Sequence, residues 1–211
     1  LVIFDCDGVL VDSERISVEV EARILTELGW PHTPDDVIER WMGRSHASQL
    51  AEITDTLGHE VALSFDQRSV GEVVAAFRDA LRPVEGIVTL LDHLERTRTP
   101  TCVASSGTHE RIELVLGLTG LLSRFDGRIF SASQVEHGKP APDLFRLAAK
   151  SMGVAPSRCV VVEDSVNGVT AAVAAGMTVY GYAGGLSRSD RLEQAGAILF
   201  ESMVDLTGFL P

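Results

Sequence analysis

Short apolar, β-branched runs recur along the chain with helix-periodic stretches between them, the alternation of an α/β domain built on a mainly parallel sheet. The runs are Leu1 to Asp5 (LVIFD), Thr101 to Ser105 (TCVAS), Arg128 to Ser131 (RIFS), Cys159 to Glu163 (CVVVE), Thr178 to Tyr182 (TVYGY) and Ala197 to Phe200 (AILF). VIF and VVV carry no polar alternation, which predicts central strands covered by helices on both faces. Almost a hundred residues separate the first run from the second, far more than one crossover helix uses, so something is inserted there. The insert reads as helical from Ser13 to about Ala80. Ile16, Val20, Ile24 and Leu28 stand four apart and stop at Gly29; Pro34 opens a second helix through Val37, Ile38, Trp41 and Met42 to Gly43. Further stretches follow around Leu50, Ile53 and Leu57, ending at Gly58, and around Val70, Val73, Val74, Phe77 and Leu81, ending at Pro83. The predicted organisation is an α/β, Rossmann-like parallel-sheet core over residues 1–12 and 82–211 with a small helical bundle over 13–81. Val11 to Ser13 and Arg82 to Gly86 are its hinges. An insert after the first strand is expected over the carboxyl edge of the sheet, where open α/β folds bind ligands.

Length and composition agree with this picture. The 211 residues are 45% hydrophobic and 23% charged, enough for a sizeable core and one domain with a smaller insert. A formal charge of −12 argues against a broad grip on nucleic acid or anionic membrane, so any anionic ligand must be held locally. No apolar window approaches the ~18 residues of a membrane helix, and the chain reads as soluble and cytoplasmic. Cys6, Cys102 and Cys159 lie in or beside apolar runs without CxxC spacing and read as reduced core residues.

Candidate chemistry sits where the strands end. The first runs into Asp5-Cys6-Asp7-Gly8, two carboxylates followed by a turning residue. Alone, this pair fits strand-end capping as well as it fits a cation or catalytic site. CVVVE then ends in Glu163-Asp164-Ser165, a second acidic pair at another carboxyl end. In a parallel sheet those ends converge, and the clustered acids would repel one another unless a hard cation such as Mg²⁺ neutralised them. The second long strand ends in Ser105-Ser106-Gly107, whose hydroxyl and turning N–H groups suit an anion. The chain has only two lysines: Lys150 reads as a solvated last-turn cation, whereas Lys139 lies in the proline-stiffened loop Gly138-Lys139-Pro140-Ala141-Pro142-Asp143, where a point charge suits phosphate.

These residues together resemble the haloacid dehalogenase superfamily, in its phosphatase-like branch with a helical cap inserted after the first strand. DCDGVLVDSE looks like the family's first motif, Ser105 its second, Lys139 in GKPAPD its third, and Glu163-Asp164 in VVVEDSVNG its fourth, in order across nearly the whole chain. The resemblance implies a phosphatase for a small phosphorylated metabolite, such as a sugar phosphate. Asp5 would be the nucleophile that takes up the phosphoryl group, and Asp7 the acid/base. Asp5, the main-chain carbonyl of Asp7 and Asp164 would hold Mg²⁺, with Glu163 touching the ion or lying just behind its ligands. Ser105, Lys139 and backbone N–H groups near Cys6, Asp7 and Ser106 would hold the phosphoryl oxygens. Asp12 and Asp143 would be structural. Arg44 stands at a break between cap helices, where relatives place a specificity loop; a solvated surface arginine fits it equally.

Three rival activities meet obstacles. In similar β-phosphoglucomutase-like phosphomutases a histidine stands twelve residues after the nucleophile, and here that position is Ser17. A phosphonate hydrolase needs a cap lysine, and residues 13–80 contain none. A dehalogenase would need neither Asp7 nor the Glu163-Asp164 pair. A non-catalytic module binding a phosphorylated ligand need not keep Asp5, Asp7, Lys139 and Asp164 together.

Overall fold

In the computed structural model, which describes residues 1–42 and 46–210, the chain divides into two compact units, Leu1–Asp12 with Arg82–Pro211, and Ser13–Leu81. Strand β1 (Val2–Phe4) is followed by four helices, α1 (Ser13–Glu27), α2 (Pro34–Trp41), α3 (His46–Leu57) and α4 (His59–Ala80). Next come α5 (Ile87–Arg96), β2 (Thr101–Ser105), α6 (His109–Leu118), β3 (Ile129–Ser131), α7 (Asp143–Ser151) and β4 (Val160–Glu163). The chain continues through α8 (Val166–Ala174), β5 (Thr178–Tyr182), α9 (Ser189–Gln194) and β6 (Ile198–Phe200).

The larger unit is a six-stranded parallel sheet in the order β3-β2-β1-β4-β5-β6. All six predicted strands are present, and the unalternated VIF run is a central one: Ile3 lies opposite Cys102 on one side and Val161 on the other. Alternate residues of a strand face opposite sides of the sheet. Accordingly Ile3, Cys102 and Val161 share a core with Leu144, Phe145 and Ala148 of α7 and Val169 and Ala172 of α8. On the other side of β1, Phe4 meets Phe125 edge-on with ring centres 6.3 Å apart. Each fully buried side chain of this size contributes roughly 1.5–3 kcal/mol, which is why the strands need no polar face. The three cysteines are buried free thiols.

The segment after β1 folds back on itself: Leu10 N–H donates to the Cys6 carbonyl (2.9 Å) and Gly8 N–H to that of Val11 (2.9 Å). Where the chain leaves and re-enters this unit the two segments are joined, Asp12 N–H donating to the Arg82 carbonyl (3.0 Å) and Val84 N–H to that of Leu10 (3.0 Å). The turn bearing Asp5 and Asp7 is thereby fixed from both ends.

The smaller unit consists of α1 to α4. Pro34 opens α2 as expected, and Thr33 caps it in a reciprocal box with Asp36. Helix α4 starts eleven residues earlier than its clearest apolar spacing, around Val70, indicates. Its buried stripe is Ala62, Phe65, Ser69, Val73 and Phe77, and the small or polar members at Ala62 and Ser69 hide the period. Val70 itself is 64% exposed. The His32 ring stacks 5.2 Å from that of Trp41, whose Nε1 donates to Glu52, and its Nδ1 lies 3.0 Å from the Trp30 carbonyl. Among the described residues no helix is long and apolar enough to cross a membrane.

Candidate active site

The carboxyl ends of adjacent strands β1 and β4 place Asp5 beside Glu163 and Asp164. Asp5 N–H extends the ladder to the Val162 carbonyl (2.9 Å), so the register of β1 on β4 sets how the acids meet. Carboxylate oxygens of Asp5, Glu163 and Asp164 all lie within 4.8 Å of one another, and all three residues are buried.

Into this group the loop between β3 and α7 delivers Lys139. Its ammonium donates to Asp5 Oδ1 at 2.5 Å and to Glu163 Oε1 at 2.6 Å, and its side chain is 3% exposed. Its Nζ also lies 5.0 Å from the centre of the Phe145 ring, so the aliphatic core abuts the charged cluster. Asp143 opens α7 just after the loop, its carboxylate 3.3 Å from His137 Nδ1. Lys150, in the last turn of α7, is exposed.

Two glycines permit the close packing. A Cβ on Gly8, whose φ is +75°, would fall 1.9 Å from Asp164 Oδ2, and one on Gly168 would fall 1.7 Å from Glu163 Oε1. Gly168 lets the start of α8 lie against Glu163. There Ser165 caps the helix, accepting from Gly168 N–H (3.0 Å), and donates its own N–H (2.8 Å) and hydroxyl (2.9 Å) to Glu163 Oε2. A helix amino terminus favours negative charge, so Glu163 is held from both sides by Lys139 and α8.

Burial raises the Asp5 carboxyl from 3.8 to about 7; Lys139 opposes the rise, while Glu163 and Asp7 add to it. Burial by itself would lower the Lys139 ammonium, yet the Asp5 and Glu163 carboxylates together hold it above the ordinary lysine value. Burial also pushes up the Cys6 thiol, with Asp7 and Asp5 adding to the effect, which keeps it protonated beside the acids. Three buried carboxylates thus gather about the Lys139 ammonium. An all-oxygen, buried set of three carboxylates at one point fits a hard divalent cation.

One consequence is a pH dependence with a definite sign. Asp5 titrates at about 7 when folded, against 3.8 as its ordinary value, so between these limits the folded chain holds the extra proton. The stabilisation it represents is complete below pH ~4 and lost as pH rises through ~7. In EDTA the thermal midpoint attributable to this site is therefore expected to fall across that window. Millimolar Mg²⁺ should raise the midpoint by several degrees at pH 8 and by less at pH 5, where a proton competes for Asp5. Equal shifts at both pH values, or none, would contradict the assignment of these acids as a cation site.

The remaining candidates divide. Ser105 is buried at the end of β2, the strand next to β1, and its Oγ accepts from Gly107 N–H at 3.1 Å. Ser106 is exposed at the turn. The Asp7 side chain is not part of the three-acid group; its Oδ1 is 2.8 Å from Nη2 of Arg111 on α6. Arg44 lies outside the described residues. Two residues were not singled out by sequence. Ser131 is fully buried, lies opposite Ser105 in the sheet, and donates to the Gly107 carbonyl at 2.6 Å, so it braces the turn after β2. Arg111 is the other, and only its place six residues after Ser105 marks it.

The family model for haloacid dehalogenase-like hydrolases matches residues 1–176. The chain belongs to that family. Similar haloacid dehalogenase-like hydrolases include the 6-phosphogluconate phosphatase of Escherichia coli (strain K12), 34% identical over 85% of this chain and 80% of that one. The phosphorylated carbohydrates phosphatase of Thermotoga maritima is 32% identical over 93% of this chain and 91% of its own. Among solved structures, a conserved haloacid dehalogenase-like protein of unknown function from Agrobacterium tumefaciens str. C58 superposes with a TM-score of 0.89 at 36% identity, covering 99% and 96% of the two chains. The family resemblance carried by the four motifs, and the parallel α/β fold it implied, both hold.

Proposed function

We propose that this phosphoric monoester hydrolase cleaves a small phosphorylated metabolite of the sugar-phosphate class, through an aspartyl-phosphate on Asp5 and with Mg²⁺ as its metal. The reading rests on one observation: Lys139 bridges Asp5 and Glu163 inside a buried group that also contains Asp164. The substrate class is supported by the two phosphatases named above, one for 6-phosphogluconate and one for phosphorylated carbohydrates.

In this mechanism Asp5 and Asp164 hold the metal, together with the main-chain carbonyl of Asp7, while Glu163 keeps Lys139 in place. Bound Mg²⁺ supplies positive charge that lets anionic Asp5 and an anionic phosphoryl group approach one another. An Asp5 carboxylate oxygen forms the new bond to phosphorus as the bond to the ester oxygen breaks in line. Asp7 gives that leaving oxygen a proton. Water then attacks the aspartyl-phosphate and Asp7 takes a proton back, restoring both acids. Lys139, the Ser105 hydroxyl and the N–H groups of the following turn hold the phosphoryl oxygens as charge moves between them.

Hydrolysis is favoured over a mutase reaction by Ser17, whose hydroxyl donates to the Ser13 carbonyl within α1 (3.0 Å) and is a poor proton carrier near neutral pH. The test is a panel of phosphorylated metabolites with p-nitrophenyl phosphate, each with Mg²⁺ and with EDTA. The expected result is inorganic phosphate released only with the metal, and no isomerised product from β-glucose 1-phosphate with a bisphosphate activator. An intact protein that turns over no member of the panel would favour a module that only binds its phosphorylated ligand.

A further inference from the structure

Arg111 gives Asp7 a fixed orientation. It is the third residue of α6, its N–H donating to the cap residue Thr108 (3.3 Å), and its Cδ passes 3.6 Å from where a Cβ on Gly107 would stand. The arginine stem thus runs along the turn that follows Ser105, and its Nη2 reaches Asp7 Oδ1 at 2.8 Å across 104 residues of sequence. The side chains are 35% and 25% exposed, a half-buried ion pair at the edge of the acid cluster.

We infer that Arg111 is a positioning residue: by holding Oδ1, its guanidinium fixes the direction in which the Asp7 carboxyl group faces. This rests on the proposed role of Asp7 as acid/base. A guanidinium has five donors, no acceptor, and keeps its proton at any working pH. The oxygen facing Arg111 therefore faces a donor that does not itself exchange a proton. Rotation of the carboxyl group, which would otherwise exchange the oxygens, breaks the pair. In the first half-reaction the bond from Asp5 to phosphorus forms, the P–O bond to the alcohol breaks, and its electron pair takes the proton from the Asp7 carboxyl group. In the second, the bond from water oxygen to phosphorus forms, that to Asp5 breaks, and a water proton goes to the Asp7 carboxylate. Arg111 neither gives nor takes a proton in either step.

The test uses leaving groups. kcat/KM reports steps up to the aspartyl-phosphate. There an alkyl phosphate needs its leaving oxygen protonated, whereas p-nitrophenolate departs as an anion. Arg111→Gln is expected to lower kcat/KM about 10²-fold on the alkyl phosphate the wild type turns over best, within the range of general acid catalysis, and by less than about tenfold on p-nitrophenyl phosphate. Arg111→Lys, able to form a single ion pair, should recover part of the alkyl-ester loss, and thermal midpoints of both variants report on folding. Equal losses on the two esters, or a loss confined to KM with weaker inhibition by inorganic phosphate, would overturn the inference and make Arg111 a structural or substrate-gripping residue. The underlying reading fails separately, if Asp7→Asn leaves alkyl-ester hydrolysis intact.

Discussion

Asp5→Asn is expected to lower kcat by ~10⁴-fold or more, the scale on which loss of a covalent nucleophile acts, while leaving the fold in place. The amide keeps an oxygen able to accept from Lys139, and it removes a carboxyl that burial already pushes up to about 7. The variant should therefore be as stable as the wild type, or more so, at pH 8 without metal. Acid quenching during turnover of ³²P-labelled substrate should trap label on the wild type and none on the variant. Activity within tenfold of wild type, or label still on the variant, would remove Asp5 from the role of nucleophile.

Lys139→Met changes both stability and rate. Methionine fills a similar volume, but it leaves the Asp5 and Glu163 side chains, 11% and 0% exposed, facing one another without their shared cation. Breaking a buried ion pair from one side costs ~3–5 kcal/mol, and a lost donor to the transferring phosphoryl group costs ~10²–10³-fold in kcat. Urea unfolding at pH 8 in EDTA should show the stability loss at its largest. At pH 5, where Asp5 holds its proton in the folded state, the loss should shrink, and Mg²⁺ should recover part of it at pH 8. A midpoint at pH 8 equal to that of the wild type would mean that the ammonium does not hold the acids together.

Much of this molecule was legible before its structure, and the reasons are particular. Six β-branched runs mark six strands because a sheet covered on both faces needs no polar alternation. Lys139 stands out because only two of the eighteen basic residues are lysines, and it alone lies in a proline-stiffened loop. Arg111 had no such mark. It is one of sixteen arginines, on a helix whose other polar residues face solvent, and its pairing with Asp7 depends on how α6 leaves β2. The different surroundings of Glu163 and Asp164 were equally hidden. Asp164 lies one residue beyond the end of β4, so Glu163 goes to Lys139 and Ser165 while Asp164 lies against Gly8; the letters alone rank neither above the other. Helix α4 is longer than its apolar spacing indicates because Ala62 and Ser69 interrupt its stripe.

The strand order has a consequence for how the protein is made. The first strand is a central one, and the neighbour that brings Glu163 and Asp164 to it begins at Val160, so one flank of the sheet's middle closes only after the long stretch between the two strands exists. Contacts so distant in sequence slow folding. Until that late segment docks, Asp5 stands without Glu163 and Asp164, and an apolar edge of β1 is open to aggregation.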